Sequence, residues 1–209
     1  MILSAPITDR IKRALATDDW NELDAMVTDI SRFKGKHARV LMQCAVNSVI
    51  VECALRENKP MSLSALHEIP QEGAEDLISL ILRHYITTRD IIWFTALIAL
   101  PEKMGKKSSQ SQIIAYIAQT LISTGISNSD PTCIEQGLTV LNKISFRKYR
   151  SDSIIECIPR LTRWTIISGN ITILYHARDL IGEITDISKR AVLHAEIAQA
   201  LATIAIQKK

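Results

Sequence analysis

Residues 184–201 read ITDISKRAVLHAEIAQAL, and two other parts of the chain resemble this stretch. VTDISRFKGKHARVLMQCA at 27–45 and NKISFRKYRSDSII at 142–155 also place an Ile-Ser pair before basic residues and an apolar run. We interpret the shared phrase as the end of one helix and the tight turn into the next, with the serines capping or turning the chain. The isoleucines expected to seal the last turn of the first helix against the core are Ile30, Ile144 and Ile187.

The composition favours an all-α protein. Apolar residues make up 47% of the chain but aromatic residues only 5%, and seven Gly and six Pro are too few for the frequent turns of an all-β protein. Apolar side chains recur at helical spacing, as at Ile113, Ile117 and Leu121. Between such runs stand helix-capping and helix-breaking sequences, including SNSDP at 127–131 and SGN at 168–170.

These signals predict one domain, 1–209, built from about five helix pairs and one further helix. The pairs fall near 6–32, 36–69, 72–100, 108–144 and 149–185, and the further helix near 188–206. The second pair takes 62–69 as its second helix. The first helices of successive pairs begin about 30 to 41 residues apart, a spacing typical of helical repeat arrays.

The repeated pattern resembles a known superfamily. The S-x-x-I-I-x-x-I motif of the first helices, the ARDLIGEI of 177–184 and the period near 40 are similar to α-solenoids of the HEAT/armadillo kind, and more loosely to tetratricopeptide arrays. The resemblance implies a right-handed α-α superhelix. It also implies a scaffold that binds other macromolecules, because such arrays present extended grooves.

Basic residues cluster at four of the five turns that lead from one helix pair into the next, the turn at Pro70-Gln71-Glu72 being the exception. They are Lys34, Lys36, Lys103, Lys106, Lys107, Arg147, Lys148, Arg150, Lys189 and Arg190. The opposite turns carry acids instead, namely Asp18, Asp19, Asp90 and Asp130. Helix dipoles account for cations at helix ends but not for cations that begin helices. The basic edge is therefore a candidate partner-binding surface, and a merely solvated edge is the alternative.

Aromatic residues give a weaker candidate. Trp164 follows Arg163 and lies one turn beyond Arg160, a combination that suits stacking on a partner at an exposed helix end. The alternative is that Trp164 packs between helices. Trp93 lies inside the most apolar run, IIWFTALIAL at 91–100, which we predict to be a fully buried helix because it is about half the length of a membrane span.

The sequence offers no catalytic, cofactor or metal constellation. The five histidines are scattered without a metal-ligand spacing, and EKMGKKSS at 102–109 lacks the first glycine of a phosphate-binding loop. The four cysteines, Cys44, Cys53, Cys133 and Cys157, lie in apolar runs without a CxxC pair. We therefore expect a non-enzymatic protein with reduced, buried thiols, located in the cytoplasm and not bound to a membrane.

Two functions remain after these exclusions. The first is a protein–protein interaction scaffold or adaptor with a protein partner, acidic if it uses the basic edge. The second is nucleic-acid binding by that edge, although a net charge of +3 is small for a dedicated polyanion binder. A homodimer that covers one exposed end of the stack is compatible with both.

Overall fold

A computed structural model describes residues 5–17, 19–32 and 35–207 of the chain, and in these residues all regular structure is helical. The α-helices are α1 (Ala5–Ala16), α2 (Trp20–Ser31), α3 (Lys36–Glu57), α4 (Gln71–Thr88), α5 (Ile91–Ala99), α6 (Lys107–Ser127), α7 (Pro131–Leu141), α8 (Arg147–Ser168), α9 (Ile171–Ile181) and α10 (Ile187–Gln207). Two short 3-10 helices, Pro60–Ala65 and Leu100–Lys103, stand before α4 and after α5. The predicted all-α class is confirmed.

The helices form two compact units, of which the N-terminal unit extends to Gln110 and the C-terminal unit begins at Ser111. In the N-terminal unit, α3 packs against α1, α2, α4 and the 3-10 helix Pro60–Ala65, and α4 packs against α5. In the C-terminal unit, α8 packs against α9 and α10, and α9 packs against α7 and α10. In the C-terminal unit, the long helices α8 and α10 thus pack on each other as well as on the shorter α9.

The acids predicted at the turns within helix pairs act as N-caps. Asp19, Asp90 and Asp130 accept hydrogen bonds from the backbone N–H groups at the starts of α2, α5 and α7, and Asn170 does the same for α9. Each bond satisfies a donor that the first turn of a helix leaves unpaired. Capping therefore explains why acids occur at these three turns. The fourth predicted acid, Asp18, lies outside the described residues.

The segment predicted as a helix at 62–69 is helical only in its first half, as part of a 3-10 helix. The 3-10 helix Pro60–Ala65 ends there, and residues 66–70 have no helical structure. Pro70 accounts for Ile69 alone, because a proline disfavours the α conformation at the residue before it. The segment is fixed instead by Asn47, whose amide donates a 2.8 Å hydrogen bond to the carbonyl of Glu68.

The Ile-Ser phrase does not mark the same position in all three copies. Ile30 and Ile144 are buried at the ends of α2 and α7, as expected. Ile187 instead begins α10 and is 71% exposed, so the prediction is wrong for this residue. Ile184, three residues earlier, takes the sealing position with 1% exposure. The third copy is shifted by nearly one helical turn relative to the other two.

The apolar run 91–100 is only partly buried, contrary to expectation. Trp93 and Leu97 are completely buried and Leu100 nearly so, which confirms Trp93 as a core residue. Ile91 and Ile92 are 60% and 52% exposed, because α5 packs its other face against α4 and the first 3-10 helix.

One helix in the described part of the chain, α3, is long and apolar enough to cross a membrane by length and composition alone. Core helices of soluble proteins pass the same test. α3 contacts three other α-helices, and it buries Gln43, whose amide donates a 2.9 Å hydrogen bond to Asn47. These contacts favour a core helix.

Candidate protein-binding groove

Most residues of the predicted basic edge reach solvent. Those that are exposed are Lys36, Lys106, Lys107, Arg147, Lys148 and Lys189, whereas Arg190 is half-buried and Lys34 lies outside the described residues. Lys103 and Arg150 are also half-buried, and both bind other parts of the protein. The ten residues therefore do not share one environment.

Lys103 is a structural residue and not part of a solvated edge. Its ammonium group donates hydrogen bonds to the backbone carbonyls of Ser64, at 2.9 Å, and Leu66. Its own carbonyl accepts a 3.2 Å hydrogen bond from the backbone N–H of Ile69. Burial lowers the pKa of the Lys103 ammonium. Lys103 thus fastens the non-helical segment 66–70 to the end of the second 3-10 helix.

Arg150 is likewise engaged within the protein. Its Nη2 donates a 3.0 Å hydrogen bond to Asn142, and its Nη1 lies 3.7 Å from a carboxylate oxygen of Glu183. The side chain is 23% exposed, and its Nε is a buried donor without a partner among the described residues. The residue connects α8 to the turns after α7 and α9, so the prediction that it faces a partner is wrong.

Around Arg150 lies a cavity of about 400 Å³ in the C-terminal unit. Its lining includes three acids from α7, α9 and the turn after α9, which are Glu135, Asp179 and Glu183. The sequence showed the Asp179–Glu183 pair one helical turn apart, but it gave no sign that Arg150 would meet these acids.

The larger cavity, about 790 Å³, lies entirely in the N-terminal unit. It is an open groove, and its walls come from α2, α3, the segment before α4, and the turn between the second 3-10 helix and α6. Its apolar floor contains Ile30, Val40, Ile69 and Met104. Ile30, Ile69 and Met104 are fixed in the core with 3–7% exposure, so the floor is a rigid apolar surface.

The rim of this groove brings together cations from separate turns. Lys36 and Arg39 stand on the first turn of α3, and Lys106 stands just before α6. All three side chains are exposed, and none forms a hydrogen bond or ion pair with another described residue. Glu68 and Glu72 line the same groove, so the rim is not uniformly positive. Two predicted edge residues thus share one groove with Arg39, which was not among the predicted edge residues.

Polar side chains hold the walls of the groove in place. The Ser109 hydroxyl donates a 2.9 Å hydrogen bond to the Gln71 side-chain carbonyl. The Gln110 amide donates a 2.7 Å hydrogen bond to the backbone carbonyl of Met104. The start of α6 is thereby tied to the start of α4 and to the floor of the groove. Such a site is preformed, which lowers the entropic cost of binding a partner.

The Arg-Trp combination does not present a stacking surface. Trp164 is only 8% exposed, because α8 packs this residue against the interior of the C-terminal unit. Arg160 and Arg163 remain exposed, and Arg163 donates a 3.2 Å hydrogen bond to the carbonyl of Pro159 on its own helix. The prediction that Trp164 faces a partner is wrong.

The cysteine thiols have the features of unreactive groups. All four thiols are free, and Cys53, Cys133 and Cys157 are buried. Burial raises the pKa of Cys157 to about 12, with a further contribution from Glu156, and burial also raises the pKa of Cys44 and Cys53. A thiol with a raised pKa is a poor nucleophile at neutral pH. Within residues 5–17, 19–32 and 35–207, no three His, Cys, Asp or Glu side chains are placed to hold a metal ion.

No protein-family model, curated protein sequence or solved structure matches this chain.

Proposed function

We propose that this chain is a non-enzymatic adaptor that binds an acidic segment of a protein partner in the groove of the N-terminal unit. One observation carries the proposal: Lys36, Arg39 and Lys106 surround a buried apolar floor and have no ion partner among the described residues. An apolar side chain of the partner fits the floor, and flanking acids complement the three cations. Apolar contacts supply affinity in such sites, while charges select the partner and its orientation.

The mixed charge of the rim favours a protein over a nucleic acid at this groove. A polynucleotide carries one negative charge on each phosphate, and tracking the groove would bring phosphates beside Glu68 and Glu72. A peptide with separated acids avoids this repulsion. The groove therefore fits a short acidic and apolar segment better than a uniform polyanion.

The architecture we propose around this groove is an α-solenoid of the HEAT-like kind. Alternating long and short helices, with acids or Asn170 capping the shorter ones, are compatible with a right-handed α-α superhelix. We place such an adaptor in the cytoplasm, away from membranes and without a cofactor. Its free thiols are in keeping with a reducing compartment.

Nucleic-acid binding is the second candidate, and it rests on the start of α8. Arg147 and Lys148 are exposed there, and the N-cap residue Phe146 provides no side-chain hydrogen bond to the helix. Unsatisfied N–H groups and two nearby cations are features that bind phosphate. A labelled single-stranded oligonucleotide tests this candidate, since binding that relies on phosphate contacts weakens steeply as salt is added.

Site-specific photo-crosslinking in the source cell tests the groove. A benzoylphenylalanine at the exposed groove position His67 should crosslink to a discrete partner, whereas the same residue at the exposed position Asn21 on α2 should not. Reversing Lys36, Arg39 and Lys106 to Glu should abolish that crosslink. Reversing Lys12, Arg83 and Lys143, which are exposed outside the groove, changes the net charge equally and should preserve it. Equal crosslinking by both triple variants would overturn the proposal.

A further inference from the structure

Helix α10 is apolar on two opposite faces. Leu193, Ile197, Ala200 and Ile204 are buried on one face, where α10 packs against α8 and α9. The opposite face carries five exposed alanines, which are Ala191, Ala195, Ala198, Ala202 and Ala205. Larger apolar side chains flank them on the same side, with Ile187 71%, Val192 65% and Ile206 73% exposed. We call this second face the alanine face.

The exposure of the alanine face to water is unusual for an apolar helix face. None of the residues just named on it is charged, although the exposed His194 lies at its edge, and the Lys, Arg and Glu side chains of α10 lie outside it, at Lys189, Arg190 and Glu196. An exposed helix face of a soluble protein normally carries charged or polar residues, and a helix that is apolar all round is buried. The face therefore has the character of an interface.

The spacing of the alanines indicates that the alanine face contacts another helix. The five alanines follow one another at intervals of four, three, four and three residues. This alternation keeps one seam facing a partner helix along a left-handed pair. Alanine side chains let the two helix axes approach to the short end of the usual range of about 8–10 Å. The neighbouring Val192 and Ile206 then cover the sides of the seam.

We infer that the occupant is the alanine face of a second copy of this chain, packed antiparallel about an axis near Ala198. About an axis at Ala198, Ala198 meets Ala198 and Ala191 meets Ala205, whereas the pair Ala195 and Ala202 is one residue out of register and the pair Val192 and Ile206 is two residues out, so the face matches itself approximately. A two-fold interface requires this self-complementarity.

The area is sufficient for a reversible dimer. A helix of 21 residues is about 31 Å long, and half of its cylindrical surface is roughly 500 Å². Two such faces together reach about 1,000 Å², near the lower bound of a specific interface. The dimer should accordingly dissociate on dilution.

Sedimentation equilibrium over a concentration series tests the inference. The wild-type mass should rise from 23.4 kDa toward twice that value. Ala198→Glu should stay monomeric, because it sets two carboxylates against each other at the axis. Ala25→Glu, the same change at an exposed alanine of α2, should dimerise like the wild type. Circular dichroism should match for all three. A wild-type protein that stays monomeric throughout, or an Ala198→Glu dimer, would overturn the inference.

Cysteine crosslinking tests whether the two α10 helices run antiparallel. In a Cys44→Ser background, Ala198→Cys should form an intermolecular disulfide on mild oxidation, as should a mixture of Ala191→Cys and Ala205→Cys chains. Ala191→Cys alone should not. An efficient disulfide between two Ala191→Cys chains would indicate a parallel pair or a different contact. The groove is a separate surface, so Ala198→Glu should leave crosslinking from position 67 unchanged. Loss of dimerisation and failure of the groove proposal are thereby distinguished.

Discussion

The side-chain ammonium of Lys103 donates a 2.9 Å hydrogen bond to the backbone carbonyl of Ser64, 39 residues earlier in the chain. It also donates to Leu66, so one cation satisfies two carbonyls beside the segment 66–70. That segment includes Ile69, whose side chain is part of the groove floor and is 3% exposed. The shape of the groove thus depends on a lysine that does not itself line it.

Replacement of Lys103 by Met should lower the free energy of unfolding by about 1–3 kcal/mol, because two carbonyls lose their donor while the apolar stem is kept. Lys106→Met should change it by no more than about 0.5 kcal/mol, since Lys106 is exposed and has no partner among the described residues. Urea unfolding measures both. Equal stabilities of the two variants would contradict a structural role for Lys103.

Gly137 is predicted to be indispensable where α7 crosses α6. A Cβ atom there would lie 2.6 Å from Cγ1 of Ile122 and 2.9 Å from the carbonyl oxygen of Ala118. Gly137→Ala should therefore destabilise the protein by about 1–3 kcal/mol, despite the better helix propensity of alanine. Gly182→Ala is the matched control, because its Cβ would meet nothing closer than 3.7 Å. Thermal unfolding should show a lower Tm for the first variant alone.

The sequence was informative where local chemistry determines structure. Asp130 followed by Pro131 predicts the start of α7, and Gly169 predicts the end of α8. The φ of Gly169 is +70° in the structure, a conformation that glycine adopts readily. Such signals need only a few neighbouring residues, so nearly all helices could be placed. The segment 62–69 was the exception, because residues 66–69 are held by hydrogen bonds to Asn47 and Lys103, which are distant in sequence.

Tertiary contacts were not predictable in the same way. Ile184 and Ile187 are both apolar and lie three residues apart, and only packing decides that the first is buried and the second exposed. In the sequence, Arg150 cannot be distinguished from Lys148 as an exposed cation, and only the fold places it near Glu183. The groove could not be found from sequence either, since Lys36 and Lys106 meet only after the intervening helices have packed.

Arg150 should respond to charge reversal differently from the exposed cations near it. The sequence alone predicts that reversing Lys107, Lys148, Arg150, Lys189 and Arg190 together leaves the melting temperature nearly unchanged. The structure changes this expectation, because Arg150→Glu sets a new carboxylate beside Glu183 and removes the donor to Asn142. The single variant should lose about 1–3 kcal/mol of stability. Lys148→Glu is the control and should lose about 0.5 kcal/mol or less.

A double variant that exchanges the charges of positions 150 and 183 tests whether charge causes the loss of stability. Arg150→Glu combined with Glu183→Arg should recover part of the loss, by roughly 0.2–1 kcal/mol, which is usual for an ion pair that is partly exposed. A double variant as unstable as the sum of its parts would assign the effect to packing and not to charge.

The thiols should react in the order of their burial. Cys44 is half-buried, whereas Cys53, Cys133 and Cys157 are buried, and Cys133 also donates a 3.3 Å hydrogen bond to the carbonyl of Leu121. A thiol reagent at neutral pH should therefore modify Cys44 first in the folded protein, and the other three only on unfolding. Cys44→Ser should remove the early phase in a mass-spectrometric time course. Early modification of Cys133 or Cys157 would show that the C-terminal unit opens readily.

Cys157 should also make the stability depend on alkaline pH. Burial raises the pKa of this thiol from 9.0 to about 12, so between these values the folded state holds a proton that the unfolded state has released. Stability is greatest below the lower value and falls as the pH rises through this window. The free energy of unfolding should decrease by up to about 1.4 kcal/mol per pH unit from this one group. Cys157→Ala removes the titrating thiol, so its stability should fall less steeply over that range, although a cavity lowers it at every pH. Urea unfolding of both proteins at several pH values measures the two slopes. Parallel slopes for wild type and Cys157→Ala would mean that the thiol releases its proton in the folded state, and that the core around α8 admits water.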